Sequence, residues 1–123
     1  MKKESRRSQR VADVVRSELS LLVLTEARDP ELKKATITDV VMPTDLKSAR
    51  VYFSVLGGEG DRQRVGEALD RAAGFLRREV GRRCGLRYAP ELHFLPDRSL
   101  ERGARVEELL ADVLPPADRE PGE

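Results

Sequence analysis

The spacing of the apolar residues changes three times along the chain, and these changes constrain the fold more than any other feature. Over residues 8 to 25 the apolar residues recur every three or four positions, which is typical of an amphipathic helix, and Pro30 follows it closely. Residues 35 to 42 are mostly β-branched, and residues 47 to 56 alternate apolar with polar. We predict that these last two segments are paired strands, with Ala49, Val51, Phe53 and Val55 on the covered face.

The second helical pattern contains a glycine in its middle. Helical spacing returns at Asp61 and continues to Val80, with Gly74 between them. Because glycine costs roughly 1 kcal/mol relative to alanine inside a helix, we predict two helices joined by a kink at Gly74. Residues 90 to 95 are predicted to form a strand at a sheet edge, since Pro90 lacks a backbone donor.

The predicted order is therefore α-β-β-α-kink-α-β, and the predicted fold class is α+β, with a three-stranded sheet covered by helices. A chain of 123 residues is the size of one domain, which we place at residues 1 to 96. Residues 97 to 114 are expected to be an extension with a short helix, and residues 115 to 123 a disordered acidic tail.

Charge is distributed unevenly although the net charge is only +1. Residues 1 to 18 carry +3, residues 61 to 88 carry +4 and residues 97 to 123 carry −4. Local basic blocks of this kind favour a nucleic-acid surface on part of the fold, although a merely solvated charged surface would look the same. No apolar run approaches the ~20 residues that span a bilayer, and there is one cysteine. We expect a soluble cytoplasmic protein without membrane contact.

The second helical segment places its arginines on one side. At about 100° per residue, four arginines fall within an arc of about 40°, opposite the apolar stripe. They are Arg64, Arg71, Arg78 and Arg82. Such a row can follow a nucleic-acid backbone, because guanidinium groups match phosphate geometry. The alternative is an ordinary solvated helix face.

Two glycine positions bear on nucleic-acid binding. Gly74 would let a phosphate approach the backbone closely, or it would serve helix packing instead. Residues 57 to 60 spell glycine-x-x-glycine, the spacing of the nucleotide-clamping loop of KH domains, but Glu59 repels phosphate. We interpret the second motif as a plain connecting turn.

Catalytic residues are not indicated. His93 is the only histidine and lies in a predicted strand, and no histidine lies near Cys84 in the sequence. There is no phosphate-loop lysine motif and no nucleophile elbow. We expect no enzyme activity, no metal and no cofactor.

Several segments in order resemble the ribosome-binding factor A family. They are Arg7-Ser8-Gln9-Arg10-Val11-Ala12, Arg28-Asp29-Pro30, Thr36-Ile37-Thr38-Asp39-Val40, Asp45-Leu46, Ala49-Arg50-Val51-Tyr52, Ala72-Ala73-Gly74-Phe75-Leu76-Arg77, Leu86-Arg87, Pro90-Glu91-Leu92, Phe94, Asp97, Ser99 and Gly103. The resemblance covers about residues 5 to 110. The chain departs from it at Pro96, where members usually have an aromatic residue, and this affects the expected length of the third strand.

The resemblance implies a type II KH-like domain in which an alanine-x-glycine kink replaces the glycine-x-x-glycine loop. It implies binding to the free small (30S) ribosomal subunit and its ribosomal RNA as a monomer, with other assembly factors as further partners. The implied role is late maturation and processing of that RNA and growth at low temperature. The implied RNA-facing residues are Arg6, Arg7, Arg10, Arg71, Ala72, Ala73, Gly74, Arg77, Arg78 and Arg82.

The alternative function is a protein-protein interaction module without RNA contact. In that case the strand face around Arg50 and Tyr52, or the acidic tail, would bind a protein. Salt dependence separates the two hypotheses, because phosphate binding weakens steeply as salt rises.

Overall fold

The computed structural model describes residues 4 to 25 and 28 to 97. In chain order the elements are α1 (Arg6–Thr25), a 3₁₀ helix (Pro30–Lys34), β1 (Ala35–Val41), β2 (Ser48–Val55), α2 (Glu59–Arg83) and β3 (Glu91–Pro96). The α+β class with a three-stranded sheet is confirmed. The short helix expected within residues 97 to 114 and the acidic tail of residues 115 to 123 lie outside the described residues, except for Asp97.

The sheet has β2 at its centre, with β1 and β3 at the two edges. Strand β1 pairs antiparallel with β2 and has a register shift between Ile37 and Asp39, whereas β3 pairs parallel with β2. The edge position predicted for the third strand is confirmed. The strand begins just after Pro90 and includes Pro96. The departure from the family pattern at Pro96 therefore does not shorten the strand.

The core lies between the helices and one face of the sheet. Ala49, Val51 and Phe53 are buried on that face, as the alternation in β2 predicts. The helices contribute a matching set of fully buried side chains, namely Val15, Leu19, Leu22, Val65, Leu69, Leu76 and Val80. Burial of each such side chain stabilises the fold by roughly 1.5–3 kcal/mol. Since the core covers one sheet face, Thr36, Thr38 and Arg50 on the other face are exposed.

The predicted division of the second helical segment into two helices is wrong. Helix α2 is one uninterrupted helix of 25 residues that passes through Gly74. The glycine penalty is only about 1 kcal/mol, whereas Leu69 and Leu76 on either side are both fully buried in the core. Packing on both sides therefore outweighs the weak local preference for a break.

The ends of the first helix were predicted less accurately than its middle. Helix α1 begins two residues earlier than its apolar spacing indicated, because Ser5 and Ser8 exchange hydrogen bonds between backbone N–H groups and hydroxyls at 2.7 and 3.0 Å. The residues from Pro30 to Lys34, which follow the helix, form a 3₁₀ helix. Its N-cap is Asp29, whose carboxylate accepts a hydrogen bond from the Glu31 N–H at 3.0 Å.

Candidate nucleic-acid interface

Four arginines form a continuous exposed row on α2, which we call the arginine face. It consists of Arg64, Arg71, Arg78 and Arg82, and all four are exposed. Because α2 is uninterrupted, the 100° step between residues holds along its whole length and the four guanidinium groups stay on one side. The row extends over 18 residues, or about 27 Å at 1.5 Å per residue.

Carboxylates hold three of these arginines. Arg64 pairs with Asp61, Arg82 pairs with Glu79 at 2.6 Å, and Arg71 reaches across to Asp29 at 2.9 Å. The two short-range pairs join residues three apart on the helix, where side chains are neighbours. Exposed ion pairs of this kind contribute little to stability because solvent screens them, so an incoming phosphate can replace the carboxylate at little cost.

The ion pairs also fix the charge of the carboxylates. The pKa of Asp29 is lowered, chiefly by the hydrogen bond from Arg71 and then by the Glu31 N–H. The pKa of Asp61 is lowered by the Gly58 N–H and by Arg64, and the pKa of Glu79 by Arg82 and Arg83. The three carboxylates are therefore ionised at neutral pH, and they orient the arginines without neutralising the whole face.

Arg78 differs from the other three. Among the residues that the structure describes, it makes no hydrogen bond and no ion pair. Its guanidinium lies next to Gly74, since a Cβ atom placed on Gly74 would lie 3.6 Å from Arg78 Nη1. The exposed backbone at Gly74 and an unpaired cation thus occupy one small area of surface.

Gly74 has no packing role within the described part of the chain. Among the described residues, and leaving aside the helix backbone and the two chain neighbours, only Arg78 Nη1 would lie within 4 Å of a Cβ atom there. The alternative interpretation of this glycine, that it allows two helices to pack, is therefore wrong. The helix is accessible to an external ligand at this position.

A cleft of about 380 Å³ adjoins the arginine face. The Asp29–Arg71 ion pair lies at this cleft, and the remaining lining is mainly apolar, from Leu32, Ala68, Ala72 and Phe75. Two of the residues implied by the resemblance, Arg71 and Ala72, therefore share one concave site. The sequence gives no local sign of it, because Asp29 and Arg71 are separated by 42 residues.

The other implied RNA-facing residues are spread over the surface. Arg77 donates from Nε to the Ala89 carbonyl at 3.2 Å and so ties α2 to the following loop, while Ala73 is half-buried. Arg6, Arg7 and Arg10 are exposed on the first turns of α1. Within the described ranges, no hydrogen bond or ion pair connects these three arginines to residues 71 to 82.

The residues considered for catalysis lie apart from the arginine face. His93 is exposed on β3, with Nε2 3.5 Å from a carboxylate oxygen of Glu91. Burial raises the pKa of the Cys84 thiol, and Glu18 raises it further, so the thiol is protonated at neutral pH. In residues 4 to 25 and 28 to 97 there is no group of three potential metal ligands and no helix long and apolar enough to cross a membrane.

The structure defines a small α+β domain with one basic helical face and an adjoining cleft. Comparison with known proteins identifies its family: residues 7 to 110 match the model for ribosome-binding factor A. The ribosome-binding factor A of Desulfatibacillum aliphaticivorans is 46% identical over 109 residues, which cover 89% of each chain. The protein described here belongs to the ribosome-binding factor A family.

Solved structures support the same assignment. The solution structure of a ribosome-binding factor A from Thermotoga maritima shares 33% identity and a TM-score of 0.64, over 76% of this chain and 89% of that one. A homology model of the Thermus thermophilus ribosome-binding factor A, fitted into a cryo-EM map of its complex with the 30S subunit, shares 29% identity and a TM-score of 0.51, over 69% and 93% of the two chains. The α+β arrangement with two helices and a three-stranded sheet is thus that of the family.

Proposed function

We propose that this protein binds the free small ribosomal subunit through its ribosomal RNA and assists the late maturation and processing of that RNA, without catalysing a reaction itself. The proposed partners are the small subunit and other assembly factors. The proposed location is the cytoplasm, and the protein would act as a monomer without a cofactor. Its contribution would be greatest during growth at low temperature.

Family membership supports the choice of partner. The Thermus thermophilus relative is described in a complex with the 30S subunit, and the likeness to that protein covers 69% of this chain. Helix α2, which carries the arginine face, lies within residues 7 to 110, which match the family model.

The observation that carries the RNA-binding proposal is the exposed helix backbone at Gly74 beside Arg78. A Cβ atom at residue 74 would meet only the tip of the Arg78 side chain, at 3.6 Å. A ligand can therefore approach the helix more closely there than at any residue with a side chain. A phosphodiester is a suitable ligand because Arg78 supplies an adjacent charge-assisted donor.

The remaining arginines extend this contact. Arg71 and Arg82 are held by carboxylates in pairs weak enough to be exchanged for phosphate. The small side chains of Ala72 and Ala73, both half-buried, would let an RNA backbone approach the helix beside Gly74. Arg77 would add to the positive electrostatic potential of α2. Arg6, Arg7 and Arg10 would bind a separate part of the RNA. An interface of this kind reads the shape of folded RNA, not its base sequence.

Co-sedimentation with purified 30S subunits, 50S subunits and assembled ribosomes across a salt series tests the proposal. We expect the protein to sediment with the 30S subunit alone and its affinity to fall as salt rises. The double variant Arg78→Glu and Arg82→Glu should lose about tenfold or more in affinity at low salt, because attraction becomes repulsion. The remaining binding should show a log–log salt slope shallower by about two.

The matched control is the double variant Lys33→Glu and Arg50→Glu, which makes the same charge change at two other exposed positions. It should bind like the wild type. If this control loses binding while the Arg78 and Arg82 variant keeps it, the contact surface includes Lys33 or Arg50 and the proposed interface is wrong. Absence of wild-type sedimentation with 30S subunits at low salt contradicts the proposed function itself.

A further inference from the structure

A second cleft, of about 280 Å³, lies between two loops and the first turn of α1, away from Gly74. The turn between β1 and β2 contributes Asp45 and Leu46. The loop between α2 and β3 contributes Gly85, Leu86, Arg87 and Tyr88, and Arg7 completes the wall. Of these residues the resemblance implies RNA contact for Arg7 alone, and the arginine face includes none of them.

Both loops are held in place by backbone hydrogen bonds. The Leu46 N–H donates to the Pro43 carbonyl at 3.0 Å, and the Leu86 N–H donates to the Gly81 carbonyl at 3.0 Å. Leu46 has a φ of 59°, in the left-handed region that bulky residues rarely adopt, and its side chain packs against the core. The Leu86 side chain also packs against the core. The shape of the cleft is therefore set by the fold before any ligand arrives.

The cleft contains an aromatic ring that the core does not use. Tyr88 is 58% exposed, and the guanidinium carbon of Arg87 lies 5.8 Å from the centroid of its ring. An exposed tyrosine beside an arginine is a suitable platform for a nucleobase, since both groups stack on flat π systems. Gly85 has open space around it: among the described residues, chain neighbours apart, no atom lies within 4 Å of a Cβ atom placed there.

The charges of the cleft match a single phosphodiester. Arg7 and Arg87 supply two positive charges and Asp45 supplies one negative charge. The net charge of these three groups, +1, is opposite in sign and equal in magnitude to the charge of one internucleotide phosphate. The Asp45 carboxylate accepts a hydrogen bond from the Lys47 N–H at 3.0 Å, which holds it in its own loop.

We propose that this cleft binds one unpaired nucleotide of an RNA strand, with the base stacked on Tyr88 and its phosphate held by Arg7 and Arg87. The choice of RNA rests on the proposed function above, but the site is separate from the arginine face. A single tyrosine can hold a single base. The site would therefore add one anchored nucleotide to a surface that otherwise contacts folded RNA.

Fluorescence of a pentaribonucleotide with 2-aminopurine at its centre tests the site, because stacking on an aromatic ring quenches this base. We expect the full-length protein to quench it and Tyr88→Ala to weaken the apparent affinity by roughly 5- to 150-fold, the range for losing one stacked base. Tyr88→Phe should bind like the wild type, since stacking needs the ring and not the hydroxyl. Because Tyr88 is an exposed loop residue, thermal melting should show both variants folded.

The same variants in 30S co-sedimentation separate this inference from the proposed function. Weaker sedimentation of Tyr88→Ala, with Tyr88→Phe unaffected, supports both. If the wild type sediments with 30S subunits but Tyr88→Ala binds subunits and oligonucleotide equally well, the inference is wrong and the proposed function stands. A further outcome is that the wild type quenches the 2-aminopurine fluorescence in a way that depends on Tyr88, yet fails to sediment with 30S subunits. That result would support the nucleotide-binding cleft and contradict the proposed function. Equal affinity for adenosine monophosphate would overturn the assignment to an RNA strand.

Discussion

Gly74 and Gly81 lie in the same helix, yet their surroundings are opposite. Gly81 is buried, and a Cβ atom there would lie 3.1 Å from the Cβ atom and 3.2 Å from the Cα atom of Ala89. Gly74 is exposed, and a Cβ atom there would make only an ordinary contact with Arg78. The fold therefore needs glycine at position 81 and does not need it at position 74. Under the proposed function, contact with ribosomal RNA would account for the glycine at position 74.

Replacement of each glycine by valine is the strongest way to test this difference. We expect Gly81→Val to lower the free energy of unfolding by about 1–3 kcal/mol, the usual cost of overpacking, because Ala89 and the backbone of its loop must move. Gly74→Val, the matched control, should change it by less than about 0.5 kcal/mol, since the new side chain enters solvent. Urea denaturation measures both, and equal effects would show that position 81 is not crowded.

Replacement of Gly74 by alanine should affect stability and binding in opposite directions. Alanine favours the helix by about 0.5–1 kcal/mol over glycine, and its methyl group has room, so Gly74→Ala should stabilise the protein. The same methyl group would hold a phosphodiester away from the helix, and affinity for 30S subunits should fall. Urea denaturation and co-sedimentation measure the two effects. A variant that is stabilised but binds normally would remove Gly74 from the interface.

Acid should weaken the ion pair that positions Arg71, and this is the smallest effect expected. The folded-state pKa of Asp29 is lowered, so its contribution to stability is present above the unfolded pKa of about 3.9 and is lost as pH falls through the folded value. In Asp29→Asn this contribution is absent at all pH values. The difference in melting temperature between wild type and Asp29→Asn should therefore shrink as pH falls from about 5 to below 3.

The control for that experiment is Asp70→Asn, which removes one negative charge from an exposed position on α2. It separates loss of the Asp29–Arg71 pair from a change in net charge. If the difference between wild type and Asp29→Asn is constant over the acid range, the ion pair does not contribute to stability in solution.

The sequence predicted those parts of the fold that depend on repeated burial. The alternation in β2 predicts Ala49, Val51 and Phe53 on the covered face, and the helical spacing predicts an apolar stripe on α2, where Leu69 and Leu76 are buried. Each pattern is repeated over many residues, so a single exception does not obscure it. The same periodicity placed the arginine face correctly on the exposed side of α2.

Features that depend on one residue or on distant residues were not predictable in this way. The local helix propensity of Gly74, about 1 kcal/mol below that of alanine, predicts a break at this residue. The helix is continuous because the residues on either side pack into the core, and the local sequence does not show that packing. The role of Gly81 depends on Ala89 in a later loop. Likewise, the cleft beside Ala72 depends on Asp29 meeting Arg71 across the fold. The RNA-binding roles of all ten implied residues, on α1 and on α2, remain predictions for binding experiments.

The two edges of the sheet bear on how this protein behaves when it is crowded by other copies of itself. Strand β3 is a six-residue edge strand that follows Pro90 and ends at Pro96, and strand β1 has a register shift between Ile37 and Asp39. Prolines remove backbone donors from one edge, and the irregularity twists the other, so neither edge is a regular template for a further strand. The central strand β2 is already paired on both sides. Resistance to strand addition, and hence to aggregation through the sheet, is therefore built into both edges of this domain.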